Sequence, residues 1–296
     1  MQNNIIEIKN LTKNYGDFKA LDNMNMTLEK NKIYGLLGRN GAGKTTMLNV
    51  LTSRIFATSG EALVFGEKVF ENTEILKKVC FIEEKGFYDN AVRVSNVLKL
   101  CSGLYPNWDD DYAQELVTLF ELNPKKKFKQ LSRGMESALG LIIGLASRAE
   151  LTVFDEPSLG LDAVIRERFY DAVIDDFSAN PRTIVISTHL IDEVSKMFED
   201  VVIVDGGRVL VNTNVAKLRE KAFYVSGGEQ TVRKACDGAI VMEEEQFGGT
   251  LILSVYTDKA IAADGVDIQP IPMQKLFVNI INPKIYDILQ KGGVTL

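Results

Sequence analysis

The stretch GRNGAGKTT, residues 38–46, decides the fold of this chain. It matches the pattern G-x-x-x-x-G-K-[S/T], and it lies between an apolar predicted strand, IYGLL, and a predicted helix, GKTTMLNVLTSRI. Its glycines allow backbone N–H groups to turn inward around a phosphate, and the helix N-terminus adds partial positive charge. The pattern therefore predicts a phosphate-binding loop at the start of an α/β domain.

Every residue of this loop is a candidate nucleotide contact. Lys44 can reach the terminal phosphates, and Thr45 can ligate Mg²⁺ through its hydroxyl group. A glycine-rich turn without a ligand is the alternative, and the lysine and the two threonines argue against it. The candidates are Gly38, Arg39, Asn40, Gly41, Ala42, Gly43, Lys44, Thr45 and Thr46.

Acidic residues and a histidine follow two further apolar strands. Asp155, in VFDEP, ends a predicted buried strand, where it is placed to hold Mg²⁺. Glu156 follows it and can orient or deprotonate an attacking water. His189, the only histidine in the chain, follows the strand TIVIS. Because the carboxyl ends of parallel strands converge on the ligand, we expect His189 to contact a γ-phosphate.

Composition narrows the class of protein. A chain of 296 residues suits one large domain and a smaller one, and its 46% hydrophobic and 25% charged residues indicate a globular core. The net charge of −6 argues against nucleic acid as a partner. Three distant cysteines favour neither a disulfide framework nor a zinc site, and they suit a reducing cytosol. We expect neither a secretory signal nor a membrane span, because the apolar runs fall short of the roughly 20 residues that a span needs.

The order of predicted elements indicates two domains. Alternating strands and helices over residues 1–220 predict an α/β domain with a mostly parallel core sheet, interrupted by a helical subdomain at about 88–148. Residues 221–296 predict a small C-terminal α+β accessory domain. Its predicted elements are the short strands FYVSG, GAIVMEEE and TLILSVYTD and the helices EQTVRKACDG, MQKLFVNIIN and KIYDILQK.

Together these motifs resemble the ATP-binding subunit of ABC transporters, over residues 1 to about 215. The resemblance implies a P-loop NTPase fold, ATP and Mg²⁺ as cofactors, and ATP hydrolysis. It makes GRNGAGKTT the Walker A loop and LTVFDE the Walker B strand, with Glu156 as catalytic base and His189 as switch histidine. Tyr15 falls where the family stacks an aromatic ring on adenine, and Asp162 ends the D-loop, SLGLD.

LSRGM, residues 131–135, falls where the family has its LSGGQ signature. In the family this helix N-terminus points at the γ-phosphate held by a second subunit, which suits free N–H groups and the helix dipole. Ser132 supplies a hydroxyl group and Gly134 allows close backbone approach. Arg133 replaces a glycine and Met135 a glutamine. Arg133 either clamps phosphate as a charged donor or points to solvent, and the sequence leaves both open.

A further departure lies at CFIEE, where the family usually has a glutamine that contacts Mg²⁺ and the attacking water. Glu84 occupies that place by spacing, and a carboxylate is still a hard oxygen ligand for Mg²⁺. We therefore count Glu84 among the catalytic and metal-binding candidates. The nearby Phe87 and Tyr88 either contact a short helix of a membrane partner or belong to the core.

The finer resemblance is to the ATPase subunits of bacterial ABC-2-type exporters, the group that exports bacitracin and peptide toxins, with a phenol-soluble-modulin-type exporter as one specific case. It implies an ATP-driven subunit for export of peptides, antibiotics or other amphipathic molecules. Such a subunit would form a homo- or heterodimer bound to an integral membrane permease, on the cytoplasmic face of the cell membrane. The alternative is a soluble regulatory switch that dimerises on ATP.

Overall fold

A computed structural model describes residues 3–83, 91–191, 197–261 and 264–291 of the chain. The chain divides into two compact units, Met1–His189 with Val204–Val209, and Leu190–Ile203 with Leu210–Leu296. The accessory region predicted at 221–296 lies within the second unit, and the predicted boundary at residue 220 stays a prediction.

The first unit opens with an antiparallel sheet in the order β2-β1-β4-β5. Its strands are β1 (Asn4–Tyr15), β2 (Phe18–Glu29), β4 (Ser59–Val64) and β5 (Glu67–Lys68). A hairpin joins β1 to β2 and places Tyr15 opposite Phe18. Gly16 takes the left-handed conformation, with φ of +58°, that a two-residue hairpin turn favours.

The core sheet has six strands in the order β10-β9-β3-β8-β7-β6. They are β3 (Ile33–Leu37), β6 (Val79–Ile82), β7 (Leu151–Asp155), β8 (Thr183–Thr188), β9 (Asp200–Asp205) and β10 (Arg208–Asn214). The pairs β3–β8, β8–β7 and β7–β6 are parallel, and β3, β7 and β8 are buried along their whole length. Such buried apolar runs are typical of parallel strands covered on both faces. The predicted mostly parallel α/β core is confirmed.

The helices of the first unit follow the predicted order except for a short helix at Thr73–Leu76, which the sequence did not predict. They are α1 (Lys44–Leu51), α2 (Thr73–Leu76), α3 (Val94–Leu104), α4 (Asp110–Leu119), α5 (Arg133–Ala146) and α6 (Ala163–Ala179). The helices α3, α4 and α5 lie in the stretch for which the sequence predicted a helical subdomain. The three aspartates at 109–111 suit a helix N-terminus, and Asp109 caps α4 by accepting a hydrogen bond from the backbone N–H of Tyr112 at 2.9 Å.

The second unit contains a four-stranded antiparallel sheet in the order β12-β13-β11-β14. Its elements are α7 (Val215–Arg219), β11 (Ala222–Gly228), α8 (Glu229–Ala235), β12 (Ile240–Phe247), β13 (Thr250–Tyr256), β14 (Val266–Pro270), α9 (Met273–Ile280) and α10 (Pro283–Lys291). Val225, Val232 and Leu253 belong to its buried core. The sequence analysis missed β14, because four of its five residues are exposed and it lacks the apolar alternation of a half-buried strand.

None of the helices in the described ranges is long and apolar enough to cross a membrane. The helical spacing of LIDEVSKMF, residues 190–198, predicts a further helix, which falls mostly on residues 192–196, outside the described residues.

Candidate functional site

The loop between β3 and α1 is shaped by glycines. Gly41 and Gly43 adopt left-handed backbone conformations, with φ of +80° and +108°. A Cβ atom on Gly38 would lie 2.5 Å from the carbonyl oxygen of Val204, and one on Gly43 would lie 2.8 Å from that of Ala20. A side chain is therefore excluded at Gly38 and Gly43, where backbone groups line the loop.

Lys44 lies at the first position of α1, and its side chain is buried with only 6% of its surface exposed. Its Nζ donates hydrogen bonds to the carbonyl oxygens of Gly38 at 2.7 Å and Arg39 at 3.3 Å. The same atom lies 3.7 Å from Oε1 of Glu156. A buried ammonium group inside a loop of glycines is an anion-binding arrangement.

Thr45 and Asp155 meet at the carboxyl edge of the sheet. The hydroxyl group of Thr45 donates to Oδ2 of Asp155 at 2.7 Å. Asp155 is buried, and its Oδ1 has no hydrogen-bond partner in the part of the chain that the structure describes. A hydroxyl and an unsatisfied carboxylate oxygen are hard ligands of the kind that Mg²⁺ prefers.

This donor set suits a metal that is shared with a bound phosphate. In the described ranges, no group of three or more His, Cys, Asp or Glu side chains is close enough to hold a metal ion. Mg²⁺ commonly takes only one or two protein oxygens and completes its shell with water and substrate phosphates. The pair Thr45 and Asp155 therefore fits Mg²⁺ that arrives with a nucleotide.

Glu156 and His189 are joined directly. Nδ1 of His189 lies 2.8 Å from Oε2 of Glu156, and the two residues follow the neighbouring parallel strands β7 and β8. Glu156 has a left-handed backbone, with φ of +51°, and its N–H donates to the carbonyl oxygen of Ser187 at 2.9 Å. The structure thus brings Asp155, Glu156 and His189 to one edge of the sheet, close to Lys44.

An open cleft of about 280 Å³ extends from the P-loop to the β1–β2 hairpin. It is lined by nearly the whole predicted loop, from Arg39 to Thr46, together with Asp155 and Glu156. At the hairpin end it is lined by Tyr15 and Phe18, whose surfaces are 51% and 63% exposed. Of these two, only Tyr15 was predicted from the sequence, and Phe18 stands three positions later in YGDF.

Arg39 is held by a partner that the sequence analysis did not identify. Its Nε lies 3.1 Å from Oδ1 of Asp205 and its terminal nitrogen 3.2 Å from Oδ2. The guanidinium group therefore pairs with the last residue of β9 in a two-point contact. Asn40, beside it, is exposed.

The stretch LSRGM forms the N-terminus of α5. Ser132 is its N-cap, and the hydroxyl oxygen accepts a hydrogen bond from the N–H of Met135 at 3.3 Å. A Cβ atom on Gly134 would lie 2.7 Å from the carbonyl oxygen of Gly160, and one on Gly160 would lie 2.9 Å from Cγ of Arg133. The turn at LSRGM and the loop SLGLD of the same chain are therefore packed backbone against backbone, with the stem of Arg133 alongside.

Asp162 is the N-cap of α6. Its carboxylate accepts a hydrogen bond from the N–H of Ile165 at 3.0 Å. Neither Asp162 nor any residue of LSRGM is among the described residues that line the P-loop cleft. The structure thus separates the predicted contacts of Ser132, Arg133, Gly134 and Asp162 from the cleft of their own chain.

Glu84, Phe87 and Tyr88 lie outside the described residues. The neighbouring Glu83 forms an ion pair with Arg54, whose guanidinium group lies 4.6 Å from the ring centroid of Phe81.

Comparison with protein families matches residues 21–159 of this chain to the family described as ABC transporter. The chain is 31% identical to the ABC transporter ATP-binding protein YtrB of Bacillus subtilis over 223 residues, which are 75% of each chain. It is 33% identical over 234 residues to the bacitracin transport ATP-binding protein BcrA of Enterococcus faecalis, covering 76% of each. It is 31% identical to the lantibiotic transport ATP-binding protein SrtF of Streptococcus pyogenes, over 70% of this chain and 90% of that one.

Solved structures show the same fold. The ATP-binding subunit of an ABC transporter superposes with a TM-score of 0.66 at 20% identity, over 73% of this chain and 92% of its own. The dimeric ATP-binding cassette MJ0796, bound to ADP and Pi, superposes with a TM-score of 0.62 at 22% identity, over 71% of this chain and 99% of its own.

Proposed function

Because this chain belongs to the ATP-binding proteins of ABC transporters, we propose that it is the ATP-hydrolysing subunit of an exporter whose cargo is an amphipathic peptide. One observation carries the catalytic part of the proposal. A P-loop lysine, a pair of oxygen ligands suited to a metal and the carboxylate of a carboxylate–histidine pair line one cleft, and these are the groups that phosphoryl transfer to water requires.

The binding roles follow from the groups that face the cleft. Lys44 exchanges its carbonyl partners for phosphate oxygens, and the loop N–H groups and the N-terminus of α1 hold the remaining negative charge. Thr45 and Asp155 would hold Mg²⁺, because the Thr45 hydroxyl and the buried Oδ1 of Asp155, which has no hydrogen-bond partner in the described ranges, are hard oxygen ligands. The ion would neutralise negative charge on the phosphate oxygens.

Glu156 is the general base in this proposal. Its Oε2 is engaged by His189, whereas its Oε1 is buried and has no hydrogen-bond partner in the described part of the chain. Oε1 is therefore the oxygen that accepts a proton from the attacking water. His189 orients the carboxylate through Nδ1, which leaves its other ring nitrogen for the γ-phosphate. Glu84, which lies outside the described residues, keeps its proposed role beside Mg²⁺.

A second subunit completes each site. Ser132, Arg133, Gly134 and Asp162 are absent from the cleft lining of their own chain among the residues described, and Ser132 opens a 14-residue helix whose N-terminus can face an anion. We place these residues against the ATP held by the P-loop of the partner. The partner is a second copy or a related ATP-binding subunit.

The proposed cargo rests on the relatives. Bacitracin and lantibiotic transport proteins match at 33% and 31% identity over most of this chain. We infer from these two names that the cargo of this chain belongs to the same class of molecule. The chain would act from the cytoplasmic face of the membrane, bound to an integral membrane permease that selects the molecule.

Affinity purification of the tagged chain from detergent-solubilised native membranes tests this proposal. We expect a membrane protein with several spans to co-purify in stoichiometric amount, and the complex to hydrolyse ATP. An untagged strain taken through the same steps is the control. Recovery of soluble partners only, with the chain missing from the membrane fraction, would contradict the transport role and favour a regulatory switch.

A further inference from the structure

Tyr15 and Phe18 line the same cleft as the P-loop. They are directly paired across the β1–β2 hairpin, and side chains that are directly opposite in an antiparallel pair stand on the same face of the sheet. Both rings line the cleft that also contains Lys44 and Glu156. The hairpin therefore presents two aromatic rings side by side rather than one.

Exposure of these rings indicates that they serve a ligand rather than the core. Phe18 is 63% exposed, which leaves a large apolar surface in contact with water. The ring of Tyr15 is approached by Nζ of Lys13, 5.1 Å from the centroid. This cation–π contact occupies one face of Tyr15 and leaves the other face for a base. The ring of Phe18 adds a second exposed apolar surface beside the open face of Tyr15.

We propose that Phe18 is a second base-contacting residue, which together with Tyr15 forms a two-ring platform for the base and ribose of the bound nucleotide. The inference deepens the proposed nucleotide site and rests on it. Phe18 has no polar atom on its side chain, so it recognises the base by stacking and apolar contact rather than by hydrogen bonds. Stacking grows with the area of the base, so the platform favours purine over pyrimidine nucleotides.

Replacement of Phe18 tests the proposal in the full-length chain. We expect Phe18→Ala to raise the Kd for Mg-ATP about tenfold, and Phe18→Trp to keep it within about twofold of the wild type, because a tryptophan ring restores the stacking surface. Phe247→Ala is the matched control. Phe247 is 83% exposed in the β12–β13 hairpin and does not line the cleft among the described residues, so its removal leaves the Kd unchanged.

Binding of a second ligand shows which part of the nucleotide Phe18 contacts. Inorganic triphosphate carries the phosphates without a base, so Phe18→Ala binds it as the wild type does. For CTP we expect a smaller loss than for ATP. A thermal unfolding curve confirms that each variant is folded.

The outcomes separate the two proposals. If the wild type binds ATP and Phe18→Ala binds it equally well, the platform is wrong and the nucleotide site stands. If Phe18→Ala weakens inorganic triphosphate as strongly as ATP, the residue acts on the loop and the platform is again wrong. If the wild type does not bind ATP, both proposals fail.

Discussion

At the scale of single residues, Glu156 shows how a backbone conformation places a reactive group. A residue other than glycine with φ of +51° is uncommon and costs free energy of the order of 1–3 kcal/mol. The backbone N–H of Glu156 donates to the carbonyl oxygen of Ser187, and its carboxylate contacts Nδ1 of His189. Both the backbone and the side chain of Glu156 are therefore held. Such strain is tolerated where it directs a side chain, and here it directs the carboxylate towards Lys44.

The variant Glu156→Gln tests the residue as a base. An amide keeps the shape of the side chain but cannot accept the proton of water, so we expect ATP turnover to fall by about a factor of 10²–10⁴, with ATP binding retained. Steady-state phosphate release and equilibrium binding measure the two effects. Glu167→Gln, on the exposed surface of α6, is the control that leaves both unchanged. Wild-type turnover in Glu156→Gln would remove Glu156 as the base.

At the scale of elements, the first residues of α5 have two roles, one structural and one proposed. Ser132 caps the helix, and the same hydroxyl group is the proposed contact to a phosphate of the partner subunit. Gly134 and Gly160 bring the signature turn against the D-loop, and Ser137 donates to the carbonyl oxygen of Leu159 at 2.8 Å. These contacts hold the helix N-terminus in one orientation relative to the D-loop.

Two substitutions at Ser132 separate the cap from the phosphate contact. Asp and Asn are both good N-caps, so Ser132→Asp and Ser132→Asn keep the free energy of unfolding within about 0.5 kcal/mol of the wild type. The carboxylate of Ser132→Asp repels a phosphate, whereas the amide of Ser132→Asn does not. We therefore expect ATP-dependent dimerisation, measured by sedimentation, to be lost only in Ser132→Asp. Equal dimerisation of both variants would leave Ser132 as a cap alone.

At the scale of the whole molecule, a buried ion cluster joins distant parts of the first unit. Asp176, on α6, is 4% exposed and pairs with Arg148 and with Arg182, the latter at 2.6 Å. Arg148 also contacts Asp109 at the start of α4, at 3.1 Å. Burial, and then the neighbouring Arg148, lowers the pKa of Arg182 to about 10, so the guanidinium group remains charged at neutral pH. The cluster thus links the helical region to the start of β8, the strand that His189 follows.

Removal of the shared carboxylate leaves two cations close together in a buried place. We expect Asp176→Asn to lower the free energy of unfolding of this unit by about 3–5 kcal/mol, measured by denaturant unfolding. Asp175→Asn, the exposed neighbour on α6, is the matched control and changes it by less than about 0.5 kcal/mol. A stability of Asp176→Asn equal to that of the control would show that the cluster does not hold the fold.

Local pattern was sufficient to predict the P-loop and the sheet edge at which Asp155, Glu156 and His189 lie. The P-loop lies in one run of nine residues, and Asp155, Glu156 and His189 each follow an apolar strand. Since parallel strands bring their carboxyl ends to one edge, their convergence follows from strand order alone. The helical stretch, the mostly parallel sheet and most strands were predictable for the same reason, because each carries its own periodicity.

Only the tertiary structure decided which side chains meet across long separations. Asp205 is 166 residues from Arg39, and Gly160 meets the Arg133 stem across a loop contact that no periodicity encodes. Phe18 became a candidate only when the hairpin register set it beside Tyr15 in the cleft. A sequence determines which elements form because burial and backbone preference act on neighbouring residues. It does not by itself state register and packing, because these depend on the shapes of elements that meet only after the chain has folded.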